Sequence, residues 1–290
     1  TWQIGKPIQA GGNECQVVQR RDGSLLVNTR MQGHFQGLRG LATSTDGGET
    51  FTPIVHEKQL PCPRCQGSMI RLAAQENSKA PFAGPLLVSN PFPIQKPEGK
   101  ASSGRVRLTL RLSDDDGRTW TDGKQLHAGP SAYSALAQLP DGTILCLYEG
   151  GEARAYEALH LARFNRAWLA SPDKAAPAAG DSSALPDNDR PQASAENDAD
   201  RWARQAAADA EQDRTTVIYD GVSPNKMVCD TTLRRLPDGT WVLFFLAGGD
   251  TEPSPANYTA VARSTEDSRT WSEAEPFDTT FPREGQTIGQ

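Results

Sequence analysis

Two carboxylates, two guanidinium groups and a phenol stand out as side chains whose types could share one reaction: Glu14, Glu149, Arg30, Arg105 and Tyr133. A phenol gives up its proton only near pH 10, so it needs a neighbouring base to act as a nucleophile. A guanidinium offers a fixed fork of donors suited to a carboxylate, and each charge-assisted bond contributes roughly 1.5–3 kcal/mol. Singly these residues say little. A lone arginine at a strand end is usually a rim ion pair, and a lone tyrosine in a strand is usually a packed aromatic. Their spacing says more: 16 residues separate Glu14 from Arg30, and 28 separate Arg105 from Tyr133.

Short strands must position them. Residues 131–149 read as two strands joined at Pro140-Asp141-Gly142, where proline fixes φ and glycine supplies φ > 0. The hairpin returns Glu149 to the end of the sheet that carries Tyr133. Tyr148 points to the opposite face and reads as core. Glu14 starts the first strand, Arg30 ends the next, and Arg105 opens a strand after a proline-rich loop. Arg107 and Arg111 share the face of Arg105 by alternation, and Arg107 is its main rival. His34, His56, His127 and His160 have no triad or ligand spacing and read as loop or surface residues.

Two patterns repeat. Ser44-Thr-Asp46-Gly-Gly48-Glu-Thr50-Phe51 returns as Ser113-Asp-Asp115-Asp-Gly117-Arg-Thr119-Trp120, and in degraded form as Ser264-Thr-Glu266-Asp-Ser268-Arg-Thr270-Trp271. The aspartate can accept backbone N–H bonds across its turn, and the aromatic packs beneath. The acidic run at 114–116 therefore reads as a solvated turn, not a metal site. Asp-Gly turns recur at 22–23, 141–142 and 238–239 between alternating apolar runs. Four antiparallel strands per repeat is the signature of a propeller blade. About three blades fit residues 1–170, and another opens in 225–290.

The S-x-D-x-G-x-T-W repeat resembles the Asp-box of the exo-α-sialidase (neuraminidase) family, and Ala132-Tyr133-Ser134 with Tyr148-Glu149 resembles its last active-site strand pair. Cys65-Gln-Gly-Ser68 and Ser89-Asn90-Pro91 also look like family sequence, and the likeness covers roughly residues 1–170. It implies an all-β, six-bladed propeller, here incomplete, whose Tyr133 is the nucleophile and Glu14 its base. Arg30 and Arg105 would bind the substrate carboxylate, and Glu149 would support an arginine. The implied function is retaining hydrolysis of terminal sialic acid from glycoconjugates, with a sialylated glycan as partner and no cofactor or metal. The family's third arginine, in an Arg-Ile-Pro strand, and its acid/base aspartate have no counterpart before Glu14. The chain, beginning at Thr1 in mid-pattern, is therefore expected to be a piece of a longer protein, weakly active or inactive by itself. A circular permutation is the rival account, but Val228–Leu233 lacks the arginine and only Asp250 offers an acid. The competing function is a non-catalytic Asp-box propeller that binds glycans or proteins.

The expected organisation is a C-terminal part of one propeller at 1–170, a linker at 171–215 and the start of a second propeller-like unit at 216–290. In the linker Asp and Glu outnumber Lys and Arg ten to five, nearly all of the net charge of −6. It is expected to be loosely packed to Pro191, with a short helix over 195–214. That balance gives no reason to expect nucleic-acid binding, and no apolar run is long enough for a membrane span. Five cysteines, an odd and sparse count, do not form a disulfide framework. Cys62-Pro-Arg-Cys65 has metal or redox spacing but no second ligand pair, and reads as two half-buried thiols in a loop. Secretion or surface display is expected only from the family's microbial members.

Overall fold

In the computed structural model, residues 4–33, 36–74, 83–95, 101–171, 214–223 and 225–277 are described. They form an all-β architecture with one five-residue helix, α1 (Arg166–Ala170). The first blade is β1 (Gly12–Gln19), β2 (Leu25–Met31), β3 (Leu38–Ser44) and β4 (Val55–Pro61), paired in that order. The second is β5 (Ser68–Arg71), β6 (Leu86–Gln95), β7 (Ala101–Ser113) and the first half of β8 (Lys124–Gln138). The second half of β8 opens the third blade, with β9 (Ile144–Gly150), β10 (Ala158–Phe164) and β11 (Arg214–Tyr219). The fourth is β12 (Met227–Arg235), β13 (Trp241–Ala247), β14 (Tyr258–Ser264) and β15 (Glu275–Pro276). The leading strands β1, β5, β8 and β12 contact one another in sequence, as the inner strands of successive blades do.

The turns form as their sequences dictate. Asp22, Asp141 and Asp238 each accept the N–H two residues on, and the following glycines have φ of 85°, 88° and 91°. In the first Asp-box, Asp46 Oδ1 accepts Thr50 N–H at 2.9 Å and Ser44 Oγ accepts Gly48 N–H at 2.9 Å. The second repeats this at 2.8 and 2.7 Å through Asp115 and Ser113. In the third, Ser264 Oγ still accepts Ser268 N–H at 3.0 Å, and Glu266 takes the Thr270 hydroxyl at 2.7 Å.

The core lies between blades. One cluster joins Leu26 and Leu41 to Met69, Leu86 and the Asp-box Trp120. A second joins Leu87 and Leu110 to Ile144 and Phe164. A third joins Leu145, Leu147 and Leu161 to Trp241, Leu243 and Phe245. Burying each such side chain stabilises by roughly 1.5–3 kcal/mol.

Three expectations need correction. Strand pairing crosses the expected 171–215 and 216–290 boundary, because β11 is the outer strand of the third blade. The fourth blade then shares its core with the third, so it packs as a neighbour rather than starting a separate unit. The acidic run at 114–116 is not simply solvated: Asp116 is 7% exposed and takes Arg71 Nη2 at 2.6 Å, with Arg21 Nη1 at 3.8 Å. It ties the first blade to the second. His127 and His160 are half-buried against the Tyr148 ring, with centroids 5.5 and 5.0 Å away, rather than at the surface. Burial pulls the His160 imidazole down to about 4. His34, the loose segment after residue 171 and all of the helix expected over 195–214 except Arg214 lie outside the described residues, and Arg214 opens β11 instead.

Candidate active site

Strand irregularities aim the site. The β1–β2 register breaks between Asn13 and Cys15, and Glu14 sits in the break with φ 42°. The β8–β9 register breaks between Ser131 and Ser134, the stretch that holds Tyr133. Such bulges turn a side chain out of the strand's alternation and are frequent beside active sites.

The two side chains meet. The Tyr133 hydroxyl donates to Glu14 Oε1 at 2.5 Å. Arg30 Nη1 lies 2.7 Å from each Glu14 oxygen and donates to the Tyr133 hydroxyl at 3.0 Å. Burial first, then the bond and charge of Glu14, push the phenol well above its ordinary pKa, against the pull of Arg30. The resting phenol is therefore protonated, with its proton directed at the carboxylate that could take it. Burial weakens the Arg30 cation, but the bond and charge of Glu14 outweigh that and hold it protonated.

Arg105 approaches from the other side, its Cζ 5.5 Å above the Tyr133 ring. Its Nη1 bonds the Tyr156 hydroxyl, and its Nη2 donates to the Arg64 carbonyl at 3.1 Å. Arg107, with φ 51°, sits at another register break and turns its guanidinium over Phe92, 4.8 Å from the ring centroid. Arg111 stacks on the same ring at 5.4 Å and is 2% exposed. The bulge separates Arg105 from the two arginines that simple alternation grouped with it.

Glu149 is fully buried beneath Tyr133. Its Oε2 accepts the Tyr133 N–H at 3.0 Å, and the Asp230 backbone N–H also acts on the carboxylate. Burial pushes its carboxyl up to about 8. Among the described residues it holds no arginine by a hydrogen bond; it holds the backbone of the tyrosine strand.

The loop before β5 braces that strand. Gln66 pairs with Ser134 in both directions, at 3.0 and 3.1 Å, and Ser68 Oγ accepts Leu136 N–H at 3.0 Å. Ser89 and Ser134 hydroxyls meet at 2.7 Å. The stretches at 65–68 and 89–91 therefore have a mechanical task. Cys62 and Cys65 are fully buried free thiols packed with Ala132, Ala155 and Tyr133, deeper than expected. Burial raises the Cys65 thiol far above the ordinary range. Arg39, itself without exposed surface, donates to the Cys65 carbonyl and to Asn28 Oδ1, each at 2.6 Å.

Sequence reasoning missed Tyr156, Gln66, Arg39 and Asp230. Asp230 lies on the fourth blade, and its carboxylate acts electrostatically on Glu14 and Arg30. Asp250, the acid weighed from the sequence, is 92% exposed and pairs with Lys226 at 3.2 Å. Asp230 gave a weak signal, a single aspartate in an apolar strand start, which only a pairing map could interpret.

A family model described as a BNR repeat-like domain matches residues 1–146. A sialidase of Micromonospora viridifaciens is 36% identical over 169 residues, covering 58% of this chain and 24% of that protein. A sialidase of Bacteroides fragilis strain YCH46 is 30% identical over 167 residues, covering 55% and 28%. The chain thus spans about a quarter of the length of these two relatives. Among solved structures, an α-L-arabinofuranosidase of Fusarium graminearum matches with a TM-score of 0.51 and 14% identity, over 90% of this chain and 64% of that one. At that identity the likeness speaks for the fold alone.

Proposed function

The chain belongs to the BNR repeat-like domain family, and from that premise we propose that it carries the nucleophile side of an exo-α-sialidase. The observation that carries this reading is the 2.5 Å contact between the Tyr133 hydroxyl and Glu14, with Arg30 on both groups. Sialic acid bears a carboxylate on its anomeric carbon. A carboxylate nucleophile would be repelled there, whereas a neutral phenol is not. Glu14 takes the phenol proton as Tyr133 attacks, and a glycosyl-tyrosine forms with inversion at the anomeric carbon. Water then displaces the tyrosine, so the two steps together retain configuration. This is the tyrosine exception to the paired-carboxylate scheme.

Arg30 and Arg105 flank the phenol and receive the substrate carboxylate. Arg105 is oriented by Tyr156 and the Arg64 carbonyl. Arg30 and Arg105 each offer charge-assisted bonds to that carboxylate worth roughly 1.5–3 kcal/mol apiece. An open cleft of about 330 Å³ lies beside Tyr156, lined in part by Arg154, Val222 and Lys226, and none of Glu14, Arg30, Arg105 and Tyr133 lines it.

The test is release of the fluorophore from an aryl sialoside by the 290-residue chain and by Tyr133→Phe. Slow, saturable hydrolysis that drops to background in the variant is expected. Hydrolysis undiminished in the variant would contradict the reading, and glycan binding without hydrolysis in either protein would favour the non-catalytic propeller.

A further inference from the structure

The turns around the tyrosine strand pair build a second concave surface. Ser131 pairs with Gly150 and Gly150 with Ala158, so the turn at 151–157 between β9 and β10 opens at the Tyr133 end of the third blade. Leu159 pairs with Tyr219, which brings the connection from β11 to β12 to the same end. Both turns line the open cleft of about 330 Å³. They are locked together, because Gly221, with φ 72°, sits against the Glu157 carbonyl where a Cβ would have no room.

The walls of the cleft have the chemistry of a sugar site. Their apolar surface is the Tyr156 ring and Val222, 37% and 73% exposed. An exposed ring whose hydroxyl is already bound, here to Arg105, is a flat and fixed platform for the C–H face of a pyranose. The charged side chains beside it balance, Arg154 and Lys226 against Glu157 and Asp220. Both carboxylates are turned to their own backbone. Glu157 accepts the N–H groups of Glu152, Ala153 and Arg154 at 2.7, 3.2 and 3.0 Å, and Asp220 Oδ1 accepts those of Val222 and Ser223 at 2.8 Å each. Lys226 meets Asp250 at 3.2 Å, a surface pair of small strength. The Arg154 guanidinium makes no hydrogen bond or ion pair among the described residues. Balanced charge gives an anion little net attraction, whereas free donors around an aromatic platform suit a neutral ligand rich in hydroxyls. The volume is at the small end for ligand pockets, room for about one sugar ring.

One side chain joins this surface to the candidate active site. Tyr156 forms a wall of the cleft and its hydroxyl receives Arg105 Nη1, while Arg105 Cζ stands 5.5 Å from the centroid of the Tyr133 ring. We propose that the cleft is the subsite for the neutral sugar to which the sialic acid is joined, with Tyr156 and Val222 under its C–H face and Arg154 and Lys226 on its hydroxyls. The proposal rests on the sialidase reading. A sugar lying on Tyr156 holds the ring, and the ring holds Arg105, so a substrate that carries this sugar is gripped at both ends.

The first measurement needs no hydrolysis. Lactose is titrated into the 290-residue chain and the valine methyl signals are followed by NMR, with Val55, 65% exposed on the first blade, as the reference. The Val222 methyls should shift saturably while those of Val55 stay still, and Arg154→Ala should weaken the apparent affinity about tenfold, the loss of one charge-assisted bond. No shift at Val222, or equal shifts at both valines, overturns the proposal whatever the chain hydrolyses. The second measurement compares KM for sialyl-lactose with KM for an aryl sialoside, whose leaving group is no sugar. Arg154→Ala, and independently Val222→Asp, should raise the ratio of the two about tenfold. Both side chains are exposed, so neither change should disturb the fold. A ratio equal to wild type in both variants overturns the subsite, and the sugar in the cleft then belongs to a glycan other than the substrate. A wild-type chain that binds lactose but cleaves neither sialoside overturns the sialidase reading, and the subsite with it.

Discussion

A phenol buried against a carboxylate is a nucleophile in waiting only if the carboxylate can accept its proton. Glu14→Gln keeps the shape and removes the base, so kcat/KM should fall by about 10²- to 10⁴-fold, read with the aryl sialoside. Arg105→Ala should act mainly on KM, raising it roughly ten- to a hundredfold, from about 1.5–3 kcal/mol of lost charge-assisted bonding. Glu149 makes a different prediction. Burial raises its carboxyl from 4.5 to about 8, so the folded protein binds a proton that the unfolded chain releases. Its contribution is fully present below about pH 4.5 and is lost as pH rises to about 8. Melting temperature should therefore decline over that window in wild type and decline less in Glu149→Gln. Order, spacing and local sequence together singled out Glu14, Arg30, Arg105 and Tyr133, and the structure brings their side chains near one another. Tyr156 was not singled out, because its relevance comes from a bond to Arg105 made across blades.

Bulges and boxed turns do separate work at the scale of single elements. The register breaks in β1, β7, β8 and β12 override the two-residue alternation by which strand faces are read from sequence. That is why Arg105 and Arg107 were ambiguous until the pairing was known, whereas the Asp-box turns, whose bonds are local, were readable residue by residue. Asp46 and Asp115 accept several bonds in their own turns, which hold both carboxyls down to about 2. Their stabilisation is present above about pH 3.8 and lost as pH falls through about 2. Asp115→Ala should lower the melting temperature and flatten this acid limb, while kcat/KM stays at the wild-type value. A loss of activity at constant stability would mean that the box reaches the site.

Across the whole molecule, stability resides in the seams between blades. The repeats announced blades, but not that β11 completes the third one from beyond residue 213, since strand pairing at that separation leaves no local mark. Leu243 has no exposed surface and sits in the core shared by the last two blades. Leu243→Ala should cost about 2–5 kcal/mol. Tryptophan fluorescence and far-ultraviolet circular dichroism should report the same shifted unfolding midpoint; two separated transitions would mean that the fourth blade folds independently. The most direct test of the central claim is mass spectrometry of the chain after exposure to a fluorinated sialosyl fluoride, whose glycosyl-enzyme breaks down slowly. The account expects the sugar on the peptide containing Tyr133 and no adduct in Tyr133→Phe. A sugar attached to any other residue, or none at all on a protein that hydrolyses sialosides, would contradict it.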